Sequence, residues 1–193
     1  MFAIVCLLVV YILFDVNYIV RLIFVVISSI IQRRIVKKNV LDPCVMDGIV
    51  LTTDLDAMFH MNNARYLREC DLAQTKLWLE SHVVETIGQR FQVTNAASNI
   101  RFRRSLEFLT RYQIISRFLH WDEKAFYIEQ QFVRLSDGFV CAVNICKQAT
   151  IGCTPSSMIK RVDEHLISPP MTEELRALFA TWKLSSERLR KSS

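Results

Sequence analysis

Several features are missing from this 193-residue sequence, and each absence narrows what the chain does. Its six cysteines (6, 44, 70, 141, 146 and 153) form no C-x-x-C pair and have no histidine at zinc-finger spacing. That excludes a zinc module and leaves free thiols as the expectation. His82, His120 and His165 likewise have no partner at ligand spacing, so neither a metal nor a bound cofactor is expected. No N-x-S/T acceptor occurs, in keeping with a cytosolic domain. Internal repeats and low-complexity segments are also absent. A basic stripe interleaved with aromatics is missing too. "RFRRS" at 101–105 is the only candidate and is too short, so the net charge of +5 does not indicate nucleic acid.

What is present in excess is apolar surface, 51% of the chain, and most of the surplus lies at one end. In residues 1–31 only Asp15, Asn17, Arg21, Ser28 and Ser29 are not apolar. Crossing a bilayer takes roughly 20 mostly apolar residues. Residues 2–20 meet that need, with Asp15 and Asn17 near one end where they reach the headgroups. A cleaved signal peptide would show a basic n-region, a shorter apolar run and an A-x-A site. Here no Lys or Arg precedes the run, which continues past Arg21, so an uncleaved anchor is expected. The second run, Leu22 to Ile31, is short for another span and reads as a helix continuing into the interface, or as part of an interfacial hairpin. Arg33, Arg34, Lys37 and Lys38 follow, placing the rest of the chain in the cytoplasm by the positive-inside rule. Attraction to anionic lipid accounts for much of the basic balance. A cleaved leader would instead send the domain outside the cell.

Four regions are expected: an anchor (1–31), a basic linker (32–47), a folded domain (48–152) and a helical tail (153–193). "GIVLTTD" (48–54) is a β-branched run that reads as a strand. From Asn63 to about Ser81 the apolar residues Tyr66, Cys70, Ala73 and Leu77 recur at helical spacing, with Leu67 and Trp78 widening the face. Asn62 or Asn63 is a fitting N-cap. Gly88 breaks the chain, and strand patterns follow at about 91–104, 110–121, 125–134 and 139–149. The short joins "WDEK" and "SDG" imply antiparallel neighbours. A further helical pattern covers 172–190. One long amphipathic helix against a twisted antiparallel sheet is an α+β layer solution.

The chemistry-bearing stretch is "DLDAMFHMNNARYL" (54–67), where two carboxylates, a histidine and two asparagines lead into the long helix. A helix N-terminus presents free amides and the positive end of a dipole to a carbonyl or anion. Asp56 lies a few residues upstream as nucleophile or base, and His60 is placed to orient water or the acyl group. Taken alone, a D-x-D here would more simply cap a turn and a helix. Glu69 and Asp71 are weaker carboxylate candidates on a helix face that would ordinarily be solvated. Arg101, Arg103 and Arg104 alternate as on a solvated strand face.

The element order and this stretch together resemble the hotdog fold of acyl-CoA and acyl-carrier-protein thioesterases. The stretch is similar to the D-x-D-x-N-x-H-x-N-N segment of the plant acyl-carrier-protein and 4-hydroxybenzoyl-CoA thioesterase groups. With the apolar N-terminus, "HWDEKAFYIEQQFV" and "SDGFVCA", the chain more narrowly resembles the thioesterase superfamily member 6 family. The resemblance implies an α+β hotdog fold behind an N-terminal anchor helix, a homodimer, and acyl-CoA or another acyl thioester as ligand. By position it implies Asp56 and His60 as catalytic residues, with Asn62, Asn63 and Tyr66 opening the helix at the substrate. Two positions depart from the pattern: Met58 stands at the motif asparagine, and Ser105 stands where plant enzymes carry a carboxylate. The implied function is acyl-thioester hydrolysis in membrane lipid metabolism, with the endoplasmic reticulum as the expected membrane. The alternative is a non-catalytic acyl-thioester binder or scaffold on a degenerate site.

The topology reading predicts that protease added outside sealed microsomes digests the domain while residues 2–20 stay attached. Full protection, or a mature N-terminus beyond residue 20, would contradict it.

Overall fold

A computed structural model describes residues 5, 9, 11, 13–83 and 92–190 of the chain. Helix α1 (Val16–Ile35) starts at Asp15, whose carboxylate accepts the amide of Tyr18 at 3.2 Å. Asp15 itself is not helical, so the expected span over 2–20 is interrupted there, and most of residues 2–14 lie outside the described residues. By length and composition α1 is apolar enough to cross a membrane, yet Val25 and Ser29 on its inner side are buried against the domain. Strand β1 (Cys44–Ile49) follows a short connection.

The strand expected over 48–54 therefore lies earlier. The cause is Asp54, whose carboxylate accepts the Leu51 amide at 2.9 Å and folds Thr52–Asp54 into a 3₁₀ turn. Helix α2 (Asn63–Glu80) then runs uninterrupted, capped by the Asn62 side chain, which accepts the Ala64 amide at 2.9 Å. Gly88, the expected break, lies outside the described residues.

The remaining strands, β2 (Gln92–Phe102), β3 (Arg111–Trp121), β4 (Ala125–Arg134) and β5 (Val140–Ile151), match the four expected stretches closely. The sheet order is β1-β3-β4-β5-β2, antiparallel throughout. Asp122 closes the β3–β4 join by accepting the amides of Lys124 and Ala125. Gly138, at φ +69°, makes the β4–β5 join. Helix α3 (Pro155–Val162), which periodicity did not reveal, and helix α4 (Glu173–Arg190) complete the fold.

Helix α2 lies across one face of the sheet. Tyr66, Cys70 and Ala73 pack on Met46, Ile114, Phe132 and Ala142, and the residues of α1 facing inward, Tyr18, Leu22 and Val25, join the same cluster. Leu77 and Trp78 form a second cluster with Phe118, Phe126 and Ile128. Leu67, expected on this face, is instead 39% exposed. On the opposite sheet face, Leu175, Leu178, Phe179 and Trp182 of α4 cover Ala125, Tyr127 and Ile145. The tail thus packs on the domain, and β4 is buried on both sides.

On the face beneath α2, polar residues of β4 and β5 also enter the core. Gln130 donates to the Cys70 carbonyl at 2.8 Å and accepts from Asn144 at 3.0 Å, while Trp78 donates to Gln148 at 2.7 Å. These bonds fix the register of α2 on the sheet, since leaving such groups unpaired in the core is costly.

At the β1 edge, backbone and side chain approach unusually closely. Gly48 of β1 pairs across the sheet with Tyr112, whose ring and hydroxyl lie so near that a Cβ at Gly48 would fall within 2.8 Å of three of its atoms. Gly48→Ala should therefore cost about 2–3 kcal/mol through overpacking. In a thermal melt that is a drop of about 5–10 °C. An unchanged melt would mean that Tyr112 does not lie over β1.

Candidate active site

The stretch that carries the motif forms a tight turn between the 3₁₀ segment and α2. The Asp56 amide donates to the His60 carbonyl at 3.0 Å, and the Phe59 amide donates back to the Asp56 carbonyl at 3.1 Å. Phe59 adopts φ +60°, which closes the turn and sends Met58 and Phe59 outward, 75% and 76% exposed. Within the turn, one oxygen of Asp56 accepts the Met58 amide at 2.9 Å. The other stands 3.3 Å from His60 Nδ1, and both side chains remain open to solvent at 27% and 29%.

Neighbouring backbone holds this turn in place. The Asn62 amide donates to the Asp54 carbonyl at 2.8 Å and the Met61 amide to the Leu106 carbonyl at 2.7 Å, with a bridge between His60 and Glu107. Ser105 is exposed immediately before that contact, so the segment expected to contribute a carboxylate is indeed beside the motif but carries a hydroxyl there. Asn62 is the cap, and Asn63, the first helical residue, is exposed.

Tyr66 departs from its expected role at the substrate. It is buried between Phe102 and Phe132, ring centroids 5.1 and 4.9 Å away, and its hydroxyl accepts the Leu106 amide at 3.3 Å. Burial pushes that hydroxyl up to about 12, so it stays protonated and acts as a support under the turn.

Behind the turn sits a charge cluster that sequence reasoning missed. Arg21 of α1 donates to Asp54 at 2.8 Å and to Glu69, and the Tyr112 hydroxyl donates to the other Glu69 oxygen at 3.3 Å. Glu69, read as solvated, is 4% exposed. Burial pushes its carboxyl above the usual range, an effect that the adjacent Arg21 guanidinium and the Tyr112 hydroxyl offset only in part. Asp71 is exposed, as expected of it. The signal for the cluster was Arg21 itself, a lone cation in an apolar run, which calls for a buried anion elsewhere.

Outside the turn, the other expected groups are mostly structural. The guanidinium carbons of Arg103 and Arg104 lie 4.8 and 4.0 Å from the Phe139 ring centroid. Among the described residues, no three His, Cys, Asp or Glu side chains converge as metal ligands. The arrangement can supply one accessible carboxylate beside an imidazole, next to a helix N-terminus. That set suits acyl transfer to water.

Comparison with known proteins agrees with this fold. A family profile described as the thioesterase-like superfamily matches residues 50–179. Protein THEM6 of Drosophila melanogaster is 38% identical over 189 residues, spanning 97% of both chains. Protein THEM6 of Xenopus laevis is 39% identical over 185 residues, 94% of this chain and 87% of that one. Among solved structures, BH1999 gentisyl-coenzyme A thioesterase superposes with a TM-score of 0.54 at 20% identity, covering 61% of this chain and 99% of that one. The helix-on-sheet architecture is that of the hotdog thioesterases, and the chain belongs to the thioesterase-like superfamily and, within it, to the family of the THEM6 proteins.

Proposed function

We propose that the protein hydrolyses fatty acyl thioesters of coenzyme A at the cytosolic surface of a membrane, with Asp56 as the reacting carboxylate. The observation that carries this reading is the Asp56–His60 pair, 3.3 Å apart and open to solvent at the entry to α2. One Asp56 oxygen is held by the Met58 amide, which fixes the carboxylate while leaving the oxygen near His60 accessible. As a base, Asp56 takes a proton from water as the water oxygen attacks the acyl carbon. The carbon–sulfur bond then breaks, and the proton passes to the leaving thiolate. The N-terminus of α2 offers its dipole to the developing oxyanion.

Two further features support the wider reading. Strand β2 is an 11-residue edge with mostly exposed side chains, and an edge of that length with no partner strand among the described residues favours pairing, here with a second copy. The apolar N-terminal region and the basic residues Arg33, Arg34 and Lys37 favour a membrane surface, with the endoplasmic reticulum as its expected site and membrane lipid metabolism as the setting.

A second reading, a non-catalytic acyl-thioester binder, rests on Met58 and Ser105. The exposed thioether of Met58 offers almost no hydrogen bonding where the motif has an amide, and the Ser105 hydroxyl cannot serve as a base.

Substitution separates the two readings. Asp56→Asn should preserve acyl-CoA binding and lower turnover roughly 10²–10⁴-fold, the range expected on losing a general base. His60→Ala should cost less, since orientation contributes less than the reacting group. Met58→Asn should raise activity. Binding without turnover in the wild type, unchanged by Met58→Asn, would establish the binder. Absence of both binding and turnover at every chain length would remove both readings.

A further inference from the structure

Helix α1 lies outside the matched family region, which starts at residue 50, yet it is fastened to the domain from end to end. Asp15 pairs with Arg68 at 2.6 Å, and Asn17 donates to Thr53 at 2.6 Å. Arg21 holds Asp54 and Glu69, both nearly inaccessible to solvent. Lys76 donates to Gln32 at 3.2 Å, and just past the helix Lys38 pairs with Glu80 at 2.6 Å. Successive partners on α2, from Arg68 to Glu80, meet successive positions of α1, so the two helices run side by side in the same direction.

The outer face of α1 is the reverse of what a soluble surface helix shows. Ile19, Val20, Ile23, Phe24, Ile27 and Ile31 form a stripe at spacings of one, three or four residues, each between 43% and 71% exposed. A surface helix ordinarily turns charged residues outward. Here the stripe continues the composition of the apolar residues before it and ends at the basic residues Arg33, Arg34 and Lys37. An aliphatic face with a basic end complements hydrocarbon beside anionic headgroups.

We propose that α1 lies in the plane of an anionic phospholipid bilayer, its outer stripe immersed and its inner face carrying the catalytic domain. A spanning orientation would tear Arg21 away from two buried carboxylates and carry it towards hydrocarbon, where charge is disfavoured. A second copy of the chain fits this face less well, because the stripe offers no polar group to fix a register. The inference deepens the membrane association proposed above. It also gives that association a consequence: the Asn17–Thr53 and Arg21–Asp54 contacts hold the residues leading into Asp56 against the start of α1. The reacting turn therefore stands at the bilayer surface, where long-chain acyl thioesters partition, and meets them from the side.

Depth measurement on the full chain tests this. Cys44, Cys70, Cys141 and Cys146 are buried. With Cys6→Ser and Cys153→Ser as background, nitroxides are placed singly through Val20→Cys, Phe24→Cys, Ile27→Cys and Ile31→Cys, all exposed positions whose change leaves the core intact. In vesicles of phosphatidylcholine and phosphatidylserine, oxygen and nickel accessibility then report the immersion of each label. The expected result is a common, shallow depth for all four. A steady gradient of about 1.5 Å per residue from position 20 to 31 would mean a spanning helix and overturn the proposal. Labels that stay in water, or that couple to labels on a second copy, would overturn it equally. Acyl-CoA hydrolysis plays no part in the readout, so failure here is distinguishable from failure of the enzymatic reading.

Discussion

A single guanidinium shared by two buried carboxylates is the constraint on which the rest of this structure depends. Arg21 joins Asp54, at the entrance to the motif, to Glu69, nearly two turns into α2. Asp54 in turn holds the Leu51 amide with its side chain and the Asn62 amide with its carbonyl, so the ends of the motif turn meet at one residue. Glu69 also receives the Tyr112 hydroxyl, which reaches it because Gly48 lets the ring lie over β1. Removing one member of a buried ion-paired set typically costs about 3–5 kcal/mol, because its partners remain charged without compensation. The N-terminal helix, the turn, the central helix and the first strand are thus one mechanical unit.

That arrangement gives the two aspartates of D-L-D opposite tasks. Asp54 is inside, neutralised and committed to holding backbone, whereas Asp56, two residues on, is outside the clamp and faces His60. A carboxylate that must act on a ligand has to remain accessible, and only Asp56 is. The same division explains Tyr66, whose hydroxyl supports the Leu106 segment from within the core. The positions where the chain departs from the hydrolase pattern, Met58 and Ser105, are both on the exposed side. They change what the turn offers to a ligand without touching what holds it up.

Much of this was legible in the sequence because local periodicity and local chemistry agree. Helix α2 has an asparagine cap, no glycine or proline, and apolar residues every three to four positions, and it forms where expected. The four later strands alternate between short polar joins and likewise match. Legibility fails where long-range contacts decide the outcome. Arg21 and its partners are 33 and 48 residues apart, so the ion pairs that bury Glu69 leave no local pattern. Coverage of β4 by helices on both faces buries Tyr127 against α4, where a strand with one wet face would leave it exposed. The turn at Asp56 was legible as a motif, but its geometry depends on the distant Leu106 segment and on Phe59 in the left-handed region.

The proposed hydrolysis requires the turn before α2, centred on Asp56, to receive the thioester. The most direct test is a structure of the full chain with a fatty acyl-coenzyme A analogue in which a methylene between sulfur and carbonyl prevents hydrolysis. The analogue's carbonyl oxygen is expected against the first-turn amides of α2, with the Asp56 carboxylate facing the carbonyl carbon at about 3–3.5 Å, near-attack separation. An analogue seated away from that turn, or bound there with Asp56 directed elsewhere, would contradict it.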